Sequence, residues 1–271
     1  MRLLIIGAGV TGCFTAACLM RKGVDVSVLA RGDKATRLER DGLRMRDGLS
    51  GAEATVHLKV VRAPVVETYD VVMVCVQAQH RVSLIPLLRE LPGRPTIWYL
   101  GNTTQGYDSE CEQLGRDRVV GGFPGVGGTW EGETLVYADR EKLKHKPLDR
   151  LIIGEAHSEA AAAAQKVQRY LQRVGMNIAR YLPIMAWHWS HIAFVLPLAG
   201  AAYQHDQDLD AVVADRALLK QTIRATTEGF AAVRRAGYIL SLIHISEPTR
   251  LLVQSRMPSS ACKRGGGGGG G

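Results

Sequence analysis

Gly7, Gly9 and Gly12 constrain this chain more than any other feature. They stand in the string Leu-Leu-Ile-Ile-Gly-Ala-Gly-Val-Thr-Gly that begins at Leu3. Residues 3–6 are a short apolar run, the mark of a parallel strand covered on both faces. Gly7 would make a tight turn, Gly9 would let a pyrophosphate approach the backbone, and Gly12 would let a helix pack close to the strand. The pyrophosphate would rest on free N–H groups at the helix N-terminus. Gly7, Ala8, Gly9, Val10, Thr11 and Gly12 are therefore the candidate cradle. The helix is expected to run to Lys22, with Gly23 as its stop, and Val24, Val26 and Val28 alternate into a second strand. A coincidental glycine loop is the rival reading; strand, turn, helix and strand in succession favour dinucleotide binding.

The end of the second strand bears on which dinucleotide. An NAD site wants an acid there for the ribose 2′-hydroxyl. Here the strand ends Val28-Leu29-Ala30-Arg31, and a guanidinium can grip a 2′-phosphate through two parallel N–H bonds. Lys34 and Arg37 could add charge, while Asp33 blurs the sign. The expected cofactor is NADP; a solvated basic turn is the alternative.

Five cysteines, an odd number without a Cys-x-x-Cys pair, argue against a disulfide framework and for a reducing, cytoplasmic setting. Cys13, Cys18 and Cys75 fall in predicted core elements, where a thiol serves as a small apolar residue. The net charge of +8 owes part of its size to residues 241–271; without them 30 basic and 25 acidic residues remain, a net +5. No basic stripe interleaved with aromatics is present, so no nucleic-acid partner is expected. The longest uncharged apolar stretch, residues 192–203, is too short to cross a bilayer, and no membrane partner is expected. Residues 241–271 lose all periodicity and end in seven glycines. They resemble translated sequencing-adapter DNA followed by a translated poly-G run, so they are read as non-native or as a flexible tail.

Further along, residues 35–40 read as a polar helix and the stretch up to Val66 as weakly strand-like. Residues 70–76 read as a buried strand, followed by Gln77 and a helix through Leu91. Strands are expected at 95–100, at 119–123, around 134–138 and at 151–154. Ser158 is the expected N-cap of a helix over 159–173, and beyond residue 182 the pattern is helical, at 184–203 and 209–236. Alternating strands and helices predict an α/β fold, a Rossmann-like doubly wound parallel sheet over 1–181, followed by a truncated all-helical second domain over 182–240. Ligands bind such sheets beyond the carboxyl ends of the strands. This singles out the glycine turn, the segment from Gln77 to His80, and Gly101-Asn102. Asn102 offers a donor and an acceptor to a nicotinamide or a carbonyl, although a plain turn residue is almost as good a reading.

With these residues in hand, the chain from Met1 to about Tyr238 resembles the ketopantoate reductase family. The likeness rests on the three glycines, on Arg31 closing the second strand, and on residues 70–76 with the loop after them. Leu100-Gly101-Asn102, Leu151-Ile152-Ile153-Gly154 and a helical segment opening near a tryptophan add to it. The resemblance implies reduction of 2-dehydropantoate or a related carbonyl with NADPH. It also exposes departures. Gln77 stands where the family has a lysine that touches cofactor and substrate. In Trp187-His188-Trp189-Ser190-His191 the catalytic lysine position falls on His191, with His188 as the alternative under a shifted alignment, and the family's later glutamate would lie beyond Leu240. A histidine could donate a proton near neutrality, or it could simply pack. Two functions follow as expectations: a reductase using Asn102 and His191 on a small carbonyl substrate, or an NADP(H)-binding sensor without turnover. A hydroxy-acid dehydrogenase is a weaker third. A homodimer is left open.

Overall fold

The computed structural model describes residues 1–62, 67–125, 127–138 and 151–240; the tail from residue 241 lies outside them. In chain order the first elements are β1 (Arg2–Ile6), α1 (Val10–Arg21), β2 (Asp25–Leu29), α2 (Gly32–Asp41), β3 (Leu43–Asp47), β4 (Glu53–Val56), β5 (Lys59–Val61) and β6 (Val71–Val74). Next come α3 (Ile85–Glu90), β7 (Thr96–Leu100), α4 (Asp108–Leu114), β8 (Val119–Phe123), β9 (Gly128–Glu131), β10 (Thr134–Tyr137) and β11 (Leu151–Glu155). The last are α5 (Ala161–Arg173), β12 (Ile178–Arg180), α6 (Ile184–Gln204), α7 (Leu209–Ala214) and α8 (Arg216–Arg235). They fall into two compact units. Met1–Asp47 and Gly51–Ile184 make up one, and the other holds Gly48–Ser50 together with the described residues from Met185 onward.

The first unit is built on an eight-stranded sheet in the order β5-β2-β1-β6-β7-β8-β11-β12. Its first six strands have the order of a dinucleotide-binding fold, two mononucleotide halves meeting between β1 and β6. They pair in parallel, with Leu3 opposite Val26 on one side and opposite Val71 on the other. Apolar runs make this possible, because Leu3, Leu4, Ile5 and Ile6 are all buried and both sheet faces are covered. Each such side chain contributes roughly 1.5–3 kcal/mol through burial. One face packs Leu3, Ile5, Val28 and Met73 against Ala16, Ala17 and Leu19 of α1. The sheet is not wholly parallel as expected: β11 runs antiparallel to β8, a common addition at the edge of such sheets.

Several local expectations are corrected. The helix after Gln77 is broken into 3-10 turns at Ala78–His80 and Val82–Leu84, and α3 starts only at Ile85. Pro86 supplies the reason, since it lacks an N–H and favours the first turn of a helix over its interior. Before α5 a 3-10 turn covers Ser158–Ala160, and its cap is the ring of His157, which accepts from the Glu159 N–H at 3.4 Å, not Ser158. The weakly strand-like stretch contributes β3 and β4 to a second sheet, β4-β3-β10-β9, in which β3 pairs in parallel with β10.

In the second unit, α8 buries Leu218, Thr222, Thr226, Phe230 and Val233 on one stripe. The single helix expected at 209–236 is two, because Asp215 caps α8 through the N–H groups of Ala217 and Leu218. A Cβ at Gly229 would lie 3.1 Å from that of Ala193, so α8 and α6 approach closely. The apolar run counted from residue 192 belongs to a 21-residue helix, α6. By length and composition α6 is long and apolar enough to cross a membrane, which corrects the estimate that it is too short.

Candidate functional site

The glycine turn leaves β1 and enters α1, and each glycine has a separate physical reason. Gly7 has φ +112, and a side chain there would also strike the Cys75 carbonyl oxygen at 2.5 Å. At Gly12 a Cβ would lie 1.9 Å from the Gly7 carbonyl oxygen, so α1 can seat on the turn only without one. Gly9 differs: a Cβ there meets no described atom within 4 Å. Gly9 is the N-cap of α1 and makes no side-chain cap bond, and no acid stands in the first turn. The leading N–H groups of a helix have no partner within it, and here they belong to Val10, Thr11 and Gly12. Open space at Gly9 beside a helix N-terminus free of acids suits a pyrophosphate on geometry and on charge. The residues present therefore fit a dinucleotide.

Two further strand ends lie beside this turn. Gly7 abuts Cys75 and Val76 after β6, and the Cβ position of Gly101 after β7 faces the Val76 carbonyl at 3.8 Å. A small cleft opens here, lined by Val76, Arg81, Tyr99, Gly101, Asn102 and Tyr107 among others. Asn102 is exposed at its rim, whereas the exposed Gln77 accepts a 2.7 Å bond from Gln79. Burial pushes the thiols of Cys13 and Cys75 up to about 11 and about 12, so both are protonated apolar fillers.

At the tip of β2 the three cations separate. Lys34 lies 3.9 Å over the ring of Trp130, with burial pulling its ammonium below the usual value, and Arg37 pairs with Glu133 at 3.2 Å. Arg31, exposed at the N-cap of α2, makes no ion pair or side-chain hydrogen bond among the described residues. Trp130 and Glu133 come from the second sheet, and no sequence pattern had linked them to α2.

His191 stands in the other unit on α6, its ring stacked on Trp187 at 4.9 Å between centroids. Burial pulls it down to about 4, so it is neutral at pH 7. The sequence expectation of a histidine acid working near neutrality changes accordingly: His191 can offer a neutral N–H, not a cation. His188 is fully buried. Arg81, Tyr99 and Tyr107 went unnoticed in the sequence, where a lone arginine and two scattered tyrosines carry no spacing signal.

Residues 3–157 match the family model described as ketopantoate reductase PanE/ApbA. The chain belongs to this family. Among solved structures, 2-dehydropantoate 2-reductase from Geobacter metallireducens GS-15 matches with TM-score 0.77 and 20% identity over 98% of this chain and 85% of that one. The enzyme of that name from Porphyromonas gingivalis W83 matches with TM-score 0.66 and 16% identity over 93% and 99%. D-mandelate dehydrogenase in a ternary structure with NADH and anilino(oxo)acetate matches with TM-score 0.76 and 15% identity over 93% and 80%. At these identities the likeness is one of fold. No curated protein matches the chain. As a member of the ketopantoate reductase family, the chain is an oxidoreductase by descent, built on the Rossmann-like sheet that its glycines predict.

Proposed function

We propose that this chain binds NADP(H) and reduces the carbonyl of a small 2-oxo acid. The observation that carries the reading is the glycine turn, whose only open glycine lies beside the acid-free N-terminus of α1. NADPH, when bound, would supply the hydride that reaches the carbonyl carbon. The N–H groups of Val10, Thr11 and Gly12 would hold the pyrophosphate, and Arg31 the 2′-phosphate. Asn102 would orient the nicotinamide or the carbonyl through its amide, with Gln77 beside it on the cofactor. His191 is the candidate donor to the developing alkoxide, as a neutral N–H. The family's oxidoreductases and the free cysteines Cys13, Cys18, Cys75 and Cys111 support a soluble protein of the cytoplasm acting on a small molecule. Neither a nucleic acid nor a membrane is part of the reading, and a homodimer is compatible with it.

Titration with both cofactors tests the preference. NADPH should bind more tightly than NADH, and Arg31→Ala should weaken NADPH about ten- to a hundred-fold while leaving NADH unchanged. Equal affinities in the native protein, or a preference that survives the substitution, would overturn it. A second reading, NADP(H) binding without turnover, is favoured by Gln77 and a neutral His191 standing where the family resemblance puts two lysines. Following NADPH oxidation with 2-dehydropantoate and other 2-oxo acids separates the two. Loss of one oxyanion donor alone costs on the order of 10²–10³ in rate, so 2-dehydropantoate should turn over slowly or not at all.

A further inference from the structure

We infer that Arg81 is a positioning residue for the nicotinamide half of the cofactor site, an inference that rests on the cofactor reading above. Arg81 lies between the two 3-10 turns that follow β6 and is 7% exposed. Its Nε donates to Glu110 Oε1 at 2.8 Å, and Nη2 donates both to Glu110 and, at 2.8 Å, to the Gly106 carbonyl. The guanidinium carbon lies 5.0 Å from the ring centre of Tyr99 and 4.6 Å from that of Tyr107. One side chain thereby ties the loop after β6, which carries Gln77, to the loop after β7, which carries Asn102, and to α4.

This clamp is costly unless it is complete, because a buried guanidinium needs its partners. Its planar fork is also what lets it reach Glu110 and Gly106 together while stacking on two rings. In a sheet of this strand order the two mononucleotide halves of the ligand divide between the two halves of the sheet. The glycine turn and Arg31 belong to the adenine side; the loops after β6 and β7 belong to the other. Arg81 therefore acts on the nicotinamide end alone, through Asn102 and Gln77.

The test compares NADPH with 2′-phospho-ADP-ribose, which keeps the adenine half and pyrophosphate but lacks nicotinamide. Arg81→Lys keeps the charge and loses the fork. Its affinity for NADPH should fall about tenfold, while that for 2′-phospho-ADP-ribose stays at the native value. If both ligands weaken equally, or neither does, Arg81 is merely structural and the inference is overturned. Should Arg81→Lys not fold, Glu110→Gln, which weakens the same clamp, should show the same split at about threefold. A native protein that binds neither ligand overturns the cofactor reading itself, and the inference with it. One that binds both, with no split in the variants, overturns the inference alone.

Discussion

Gly12→Ala should cost the fold about 3 kcal/mol or more, and Gly9→Ala should leave the fold intact while removing the cofactor. The added methyl at Gly12 would sit 1.9 Å from the Gly7 carbonyl oxygen, a backbone atom that cannot swing aside. Overpacking of a rigid site costs roughly 1–3 kcal/mol and more when backbone must move. At Gly9 the same methyl meets no described atom, and alanine for glycine at an N-cap costs about 0.5 kcal/mol. The methyl would fill the space that a pyrophosphate needs beside α1, so NADPH affinity should fall on the order of 100-fold. Urea denaturation and fluorescence titration on the two variants check both halves. Unchanged NADPH binding in Gly9→Ala would show that the open space at Gly9 does not hold the pyrophosphate.

Acid should destabilise the folded protein through His191. In the unfolded chain this imidazole takes a proton near 6.5; in the folded protein burial holds it neutral down to about 4. Between those values the unfolded state binds more protons, so stability falls as pH falls through the window, by ~3 kcal/mol in all. Above about 6.5 the group contributes no slope. His191→Asn should flatten the dependence of the urea midpoint between pH 6.5 and 4, measured against the native protein under the same conditions. Parallel pH profiles in the two proteins would rule the assignment out.

The nucleotide-binding half was legible because its signals are local. Strands β1 and β6 are announced by short apolar runs and β2 by alternating valines, and the three glycines sit within six residues. The second sheet was not legible, because β3 finds its parallel partner β10 far along the chain and nothing in Leu43–Asp47 names that partner. Pro86 and Asp215 carry signals local enough to read: the first marks where a helix must restart, the second is a good N-cap inside an apparent single helix. The candidate site divides in the same way. Gly7, Gly9, Gly12 and Arg31 were visible as pattern. Arg81 became visible only when the fold brought Glu110, Gly106 and two tyrosine rings around it. The state of His191 depends on burial, which spacing does not report.

The parallel pairing of β3 with β10 also sets an order of assembly. Its two strands are separated by roughly ninety residues, so a long loop must close before that pairing yields any stabilisation. The intervening residues include β6, β7 and β8, whose parallel contacts each span a shorter loop. The small sheet is therefore expected to close after the pairs β6–β7 and β7–β8. Because Trp130 and Glu133 belong to the hairpin β9–β10, Lys34 and Arg37 reach their final places beside Arg31 only then. The surroundings of Arg31 are thus expected to take their final form after the pairs β6–β7 and β7–β8 have closed.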